Sequence, residues 1–336
     1  MKQRDPYFDI VKAVAISMVV FCHVMSIAPA GTFPIWVNNF RVGMNMPVFF
    51  MLSGYFAWPT IEAHNWSKLR YNLQSYLQLT LFAGVFYTAI GLIIGLVDPQ
   101  PRTVIIRLVR SVFVDPWFIT TLIECHLLLF VSFAVGRRVR WALLIIVTVF
   151  CIIMCRPSFM PGNIHWGCLI GMMPHFAFGA IVLRKLGCRL WENRKVGVFC
   201  FIVFISFVLL EGDVEQNGMS FYVADSSIRT FSVESSICFF LRPIVGLLGS
   251  IGVMSLLRIA FDVAPFLRWI AKIGTLSLGI YIFHLWPLGR LRGLACVGRD
   301  WMSVAVTSLA MLLVFSLITW LLREKTGSFR KWVWGR

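Results

Sequence analysis

The chain has 336 residues and a mean hydropathy of +0.80, with 59% hydrophobic and only 14% charged residues. No water-soluble domain of this size tolerates that balance, so composition excludes a soluble enzyme and demands a polytopic, all-α membrane protein. The formal charge of +16 does not mark a nucleic-acid binder, because Lys and Arg fall in short clusters between apolar runs.

Ten apolar windows bounded by charges or by Pro and Gly are predicted as membrane helices: 9–28, 42–58, 73–97, 116–136, 140–156, 165–184, 195–211, 237–258, 271–289 and 301–323. They make a single integral-membrane domain, 1–336, with no separate soluble unit expected. Lys2 and Arg4 precede an apolar run ending in Ala28-Pro29-Ala30, but Lys12 and His23 inside that run speak against a cleaved signal peptide. With the N-terminus inside, the inner connections carry about twice the Lys and Arg of the outer ones, so both termini are expected in the cytoplasm.

The first helix holds Lys12 and His23 on one apolar segment. Eleven positions at ~100° each leave them within about 20° of one face and ~16 Å apart along the axis. Buried ionisable groups in a span are costly and mark functional sites by default. Asp9, one turn before Lys12, is its expected i,i+3 partner.

The second window contains Asn45, Pro47 and Ser53-Gly54 and is expected to be kinked and packed inside protein. The connection to the third brings Lys68 and Arg70 to the cytoplasmic side with Lys12, where cations suit a phosphate-bearing donor. Glu124 lies in the fourth helix, His175 in the sixth and His284 in the ninth. Counted from the helix ends, these three and His23 fall in one layer near or just outside the midplane. Taken singly, each reads equally as a core polar group. His126 points to another face from Glu124, and His64 and His165 lie in or near loops.

The 211–236 connection, rich in Ser, Gly, Asn and acids, is either a solvated loop or a lid over a polar acceptor. The nine cysteines show no metal spacing and are expected as free, buried thiols; no metal is expected.

With these residues in place, the chain resembles the membrane-bound acyltransferase family 3, multi-helix proteins that O-acylate surface carbohydrates. KAVAISMVVFCH, from Lys12 to His23, is similar to the family's opening motif of a basic residue and a His eleven positions on, with Lys12 where Arg is usual. MPVFFMLSGYF, from Met46 to Phe56, resembles its second-helix signature and is closest to the fucose-4-O-acetylase-like subgroup. PWFITTL, from Pro116 to Leu122, looks like its Trp-Phe-Leu motif, with Ile119 in the Leu place. LSLGIYIFHLWPL, from Leu276 to Leu288, matches the pattern near the last helices.

The resemblance implies an O-acyltransferase of the bacterial inner membrane. It would move an acyl group, most often acetyl, from cytosolic acetyl-CoA to a hydroxyl of a lipid-linked or surface glycan. Acyl-CoA would then be a donor substrate, with no tightly bound cofactor. Lys12, Lys68 and Arg70 would bind the donor; His23 and His284 would be catalytic, His23 as general base or as transient acyl carrier. Asn45 and Ser53 are candidate oxyanion donors, and Trp117, Tyr281 and Trp286 candidate sugar-stacking groups. The competing reading is a transporter or exporter in which His23, Glu124, His175 and His284 form a proton or substrate path.

Overall fold

A computed structural model describes residues 5–28, 32–93, 99–114, 116–135, 164–210, 233–291 and 300–325. The predicted window 140–156 and most of the 211–236 connection lie outside the described residues, as do the side chains of His165 and Trp286. All regular structure in the described residues is helical.

Helix α1, Pro6–Met25, starts where the Asp5 side chain accepts from the Tyr7 amide at 2.9 Å, with Pro6 at the first helical position, where its missing N–H costs nothing. It is buried on nearly every side, from Ile10 and Val11 to Val20 and Val24, so it is a central helix. Helix α2, Ile35–Glu62, runs unbroken past Pro47, where a short, irregular helix was expected. Pro47 leaves the Gly43 carbonyl without its usual amide donor.

The second-helix glycine is there for packing. A Cβ on Gly54 would sit 1.9 Å from the Phe176 carbonyl oxygen, and one on Gly179 would sit 1.9 Å from that of Met51. The two backbones therefore cross in direct contact, each through the other's glycine.

Helix α3 is Trp66–Ile93. The connection after it contains a helix that hydropathy did not predict, α4, Pro101–Val109, which ends in a π-helical turn, Arg110–Val114. Helix α5, Trp117–Ala134, and α6, Ile164–Ala177, which continues π-wound to Lys185, follow. After the short 3-10 turn Leu190–Glu192 come α7, Arg194–Leu210, and α8, Val233–Val263.

The ninth predicted helix, 271–289, is three pieces: α9, Ala271–Thr275, α10, Ser277–Phe283, and α11, Leu285–Leu291. Pro287 explains the second break. It cannot donate to the Phe283 carbonyl four residues back, so the helix restarts after His284. The pieces are held from outside: the Tyr87 hydroxyl donates to the Ile282 carbonyl, and Arg323 Nη1 donates to the Thr275 carbonyl at 3.3 Å. Gly274 lies against the Asp9 carbonyl of α1, closer than any side chain would allow.

The last helix is α12, Trp301–Lys325. Among the described residues, five helical stretches are long and apolar enough to cross a membrane: Pro6–Met25, Trp66–Ile93, Trp117–Ala134, Pro243–Val263 and Trp301–Glu324. Exposed Leu309, Leu313 and Leu317 on α12 and Phe199 and Ile202 on α7 form apolar outer faces that suit lipid. The chain is an integral membrane protein.

Candidate active site

The two histidines of the first and ninth windows meet. His23 Nδ1 lies 2.7 Å from His284 Nε2, with ring centroids 4.9 Å apart and planes 27° from parallel. His284 Nδ1 in turn lies 3.0 Å from the Ile280 carbonyl. A carbonyl only accepts, so His284 carries its proton on Nδ1 and offers Nε2 as acceptor. His23 must then donate from Nδ1, which leaves its Nε2 with a lone pair. His126 and His175 bind the carbonyls of Leu122 and Gly171 through Nδ1 in the same way as His284, at 2.8 and 2.9 Å.

The pair is asymmetric in exposure: His284 is 0% exposed, whereas His23 is only partly buried. The buried ring is packed by Tyr281, 5.8 Å away, which rests on Phe118 at 5.0 Å. Phe118 belongs to the quoted PWFITTL segment, so three of the sequence motifs converge behind the dyad. Trp117 sits at the start of α5, with the Thr120 hydroxyl donating to its carbonyl at 2.9 Å.

Asn45 stands one residue before the Met46–Phe56 segment. Its amide contacts Cys22 Sγ at 3.2 Å, beside His23 in the chain, and the other end of the amide has no partner among the described residues. Asn45 is buried. Ser53 is eight residues further along α2, or ~12 Å toward the Lys12 end, so the two candidate oxyanion donors do not share a level.

Glu124 and His175 share the layer of the dyad without touching it in any described contact. His126, two residues from Glu124, packs on Phe176 at 4.8 Å, and a Cβ on Gly246 of α8 would meet His175 Nε2 at 2.3 Å. Buried Glu124 Oε2 has no partner among the described residues.

At the opposite end of α1, Lys12 Nζ lies 3.5 Å from Asp9, the expected pair, and 5.1 Å over the Phe56 ring. Lys68 and Arg70 are exposed in the first turns of α3. Sequence reasoning missed the cations brought closest to this aromatic patch: Arg184 binds the Tyr55 hydroxyl at 3.0 Å, and Phe8 touches both Tyr55 and Phe56. Among the described residues, no three His, Cys, Asp or Glu side chains converge as a metal site requires.

The membrane-embedded bundle thus holds an imidazole pair at one level and a cation on the same helix ~16 Å away. The family model for the acyltransferase domain of acyltransferase family 3 matches residues 5–323, and the chain belongs to that family. It is an acyltransferase, and the family match lends no support to transport. Comparison with curated proteins gives no match, and neither does comparison with solved structures.

Proposed function

We propose that the protein transfers an acyl group, namely acetyl, from cytosolic acyl-CoA to a hydroxyl of a lipid-linked or surface glycan, in a bacterial inner membrane. The reading takes ten spans with both termini cytoplasmic, so that the Lys12 end meets the donor and the His23 end the acceptor. The MPVFFMLSGYF segment favours a fucose-like acceptor.

The observation that carries this reading is the 2.7 Å contact of His23 Nδ1 with His284 Nε2, backed by the 3.0 Å contact of His284 Nδ1 with the Ile280 carbonyl, which holds the His23 ring by its Nδ1 edge. The donor's phosphates sit at the Lys12 end, with Lys68 and Arg70 as further cations, and its pantetheine arm spans the ~16 Å to His23. Nε2 takes the proton of the acceptor hydroxyl as that oxygen attacks the thioester carbon. The C–S bond breaks, and the leaving thiolate receives the proton from His23.

Asn45 supports the oxyanion. Its Nδ2 donates one N–H to Cys22 Sγ and keeps a second to give. Glu124 and His175 belong to a polar layer through which protons could leave the site. Tyr281 packs the dyad, while Trp117 and Trp286 are the acceptor-stacking candidates.

The test is mass spectrometry of surface polysaccharide from cells with the wild-type protein, with His23→Ala and with none. Loss of one acyl modification in the last two supports the reading; an unchanged acylation pattern in all three removes it.

A further inference from the structure

The π-wound end of α6 carries Arg184 and Lys185 side by side, both exposed. Cations at a helix C-terminus commonly complement its last carbonyls. These two are turned across to aromatic rings instead. The Arg184 guanidinium lies 5.0 Å from the Tyr55 ring centroid, and Lys185 Nζ lies 5.3 Å over Trp58 and 5.4 Å over Phe133.

Some cations of this fold pair with carboxylates, while others, such as Lys195, Arg268 and Lys272, have none within 4 Å among the described residues. Lys12, Arg189, Arg194, Arg258 and Arg323 each lie within 4 Å of a carboxylate, with Asp9, Glu192, Asp262, Asp262 and Glu324 respectively. Among the described residues, neither Arg184 nor Lys185 has such a partner. The hydrogen-bonding groups beside them are also donors. The Trp58 indole N–H, on a residue only 3% exposed, has no acceptor among the described residues. The Tyr55 hydroxyl accepts from Arg184 Nη1, so its own proton remains to be given.

Two cations and two groups with a proton left to give, the Tyr55 hydroxyl already accepting from Arg184, match an acceptor-only anion. We infer that Arg184 and Lys185, backed by Tyr55 and Trp58, seat a phosphoryl group at the Lys12 end of the bundle. The seat borders the proposed donor mouth, since Phe8 bridges the Tyr55 ring to the Phe56 ring on which Lys12 rests. The phosphoryl group comes either from the 3′-phosphate of coenzyme A or from an anionic lipid headgroup; only the first source rests on the proposed function.

The experiment uses the full chain in nanodiscs of phosphatidylcholine, with and without phosphatidylglycerol, titrated with coenzyme A and with 3′-dephospho-coenzyme A. With the nucleotide as occupant, Arg184→Gln/Lys185→Gln weakens coenzyme A binding about tenfold or more, while dephospho-coenzyme A binds wild type and variant alike. With the lipid as occupant, coenzyme A binding is unchanged, but the thermal stabilisation of the wild type by phosphatidylglycerol is lost in the variant. Lys195→Gln, an exposed cation at the start of α7, serves as control and alters neither. Both substituted residues are exposed, and an unchanged melting point in phosphatidylcholine verifies the fold. A variant that matches the wild type in both arms overturns the seat. Failure of coenzyme A to bind the wild type would instead count against the donor reading and leave the lipid arm to decide the seat.

Discussion

His23 donates from Nδ1 to His284 Nε2 across 2.7 Å, and His284 is held for that task by the Ile280 carbonyl of its own helix. A neutral imidazole thus occupies the place that a carboxylate fills in a Ser-His-Asp triad, fixing the tautomer of the reacting ring without adding a buried charge.

That arrangement makes His284 a positioning residue. His284→Leu removes the acceptor and is expected to lower kcat by about 10²–10⁴ with little change in KM for the donor, as loss of an orienting partner does elsewhere. In His284→Gln the side-chain oxygen can stand where Nε2 stood and should recover much of the loss. Acyl transfer in membrane vesicles with labelled acetyl-CoA measures both, and equal activity of the Leu and Gln forms would contradict the role.

Asn45→Ala should cost about 10²–10³ in kcat, the usual penalty for losing one oxyanion donor. Ser53→Ala, two turns away, should leave kcat near the wild-type value. Steady-state kinetics on the two variants side by side decide it; a larger effect at Ser53 would move the oxyanion site along α2.

A double substitution separates the Lys12–Asp9 ion pair from the donor docking proposed for Lys12. Lys12→Met removes a cation from beside Asp9, which is 4% exposed, and should destabilise the protein by about 1–3 kcal/mol, less than a fully buried pair because Lys12 is partly exposed. Asp9→Asn/Lys12→Met should restore the melting point but not the donor KM, which rises about tenfold. Thermal melts in detergent with donor titrations read the two effects; recovery of KM in the double variant would exclude donor binding by Lys12.

Gly54→Ala forces a methyl against the Phe176 carbonyl and must push α2 and α6 apart. A loss of about 1–3 kcal/mol or more is expected, seen as a lower midpoint in size-exclusion melting. A wild-type midpoint would show that the crossing is looser than the structure has it.

Much of this site was legible in the chain, for particular reasons. Lys12 and His23 stood out because charge in an apolar helix is expensive, and their spacing gave face and depth directly. His284 stood out likewise, but its contact with His23 did not. That contact depends on the break at Pro287, which hydropathy smooths into a single helix. Gly54 sat inside a quoted motif, yet a glycine's value lies in the backbone opposite, here Phe176, 122 residues away in sequence. Arg184 and Lys185 were counted only as topology charges, because nothing in the sequence places Tyr55 and Trp58 opposite them.

The dyad joins residues 261 positions apart. A chain being threaded into the membrane therefore lacks the His284 ring for most of its synthesis. The contact can form only after the segment bearing His284 has inserted and docked on α1, so the pair is among the last features of the bundle to be completed.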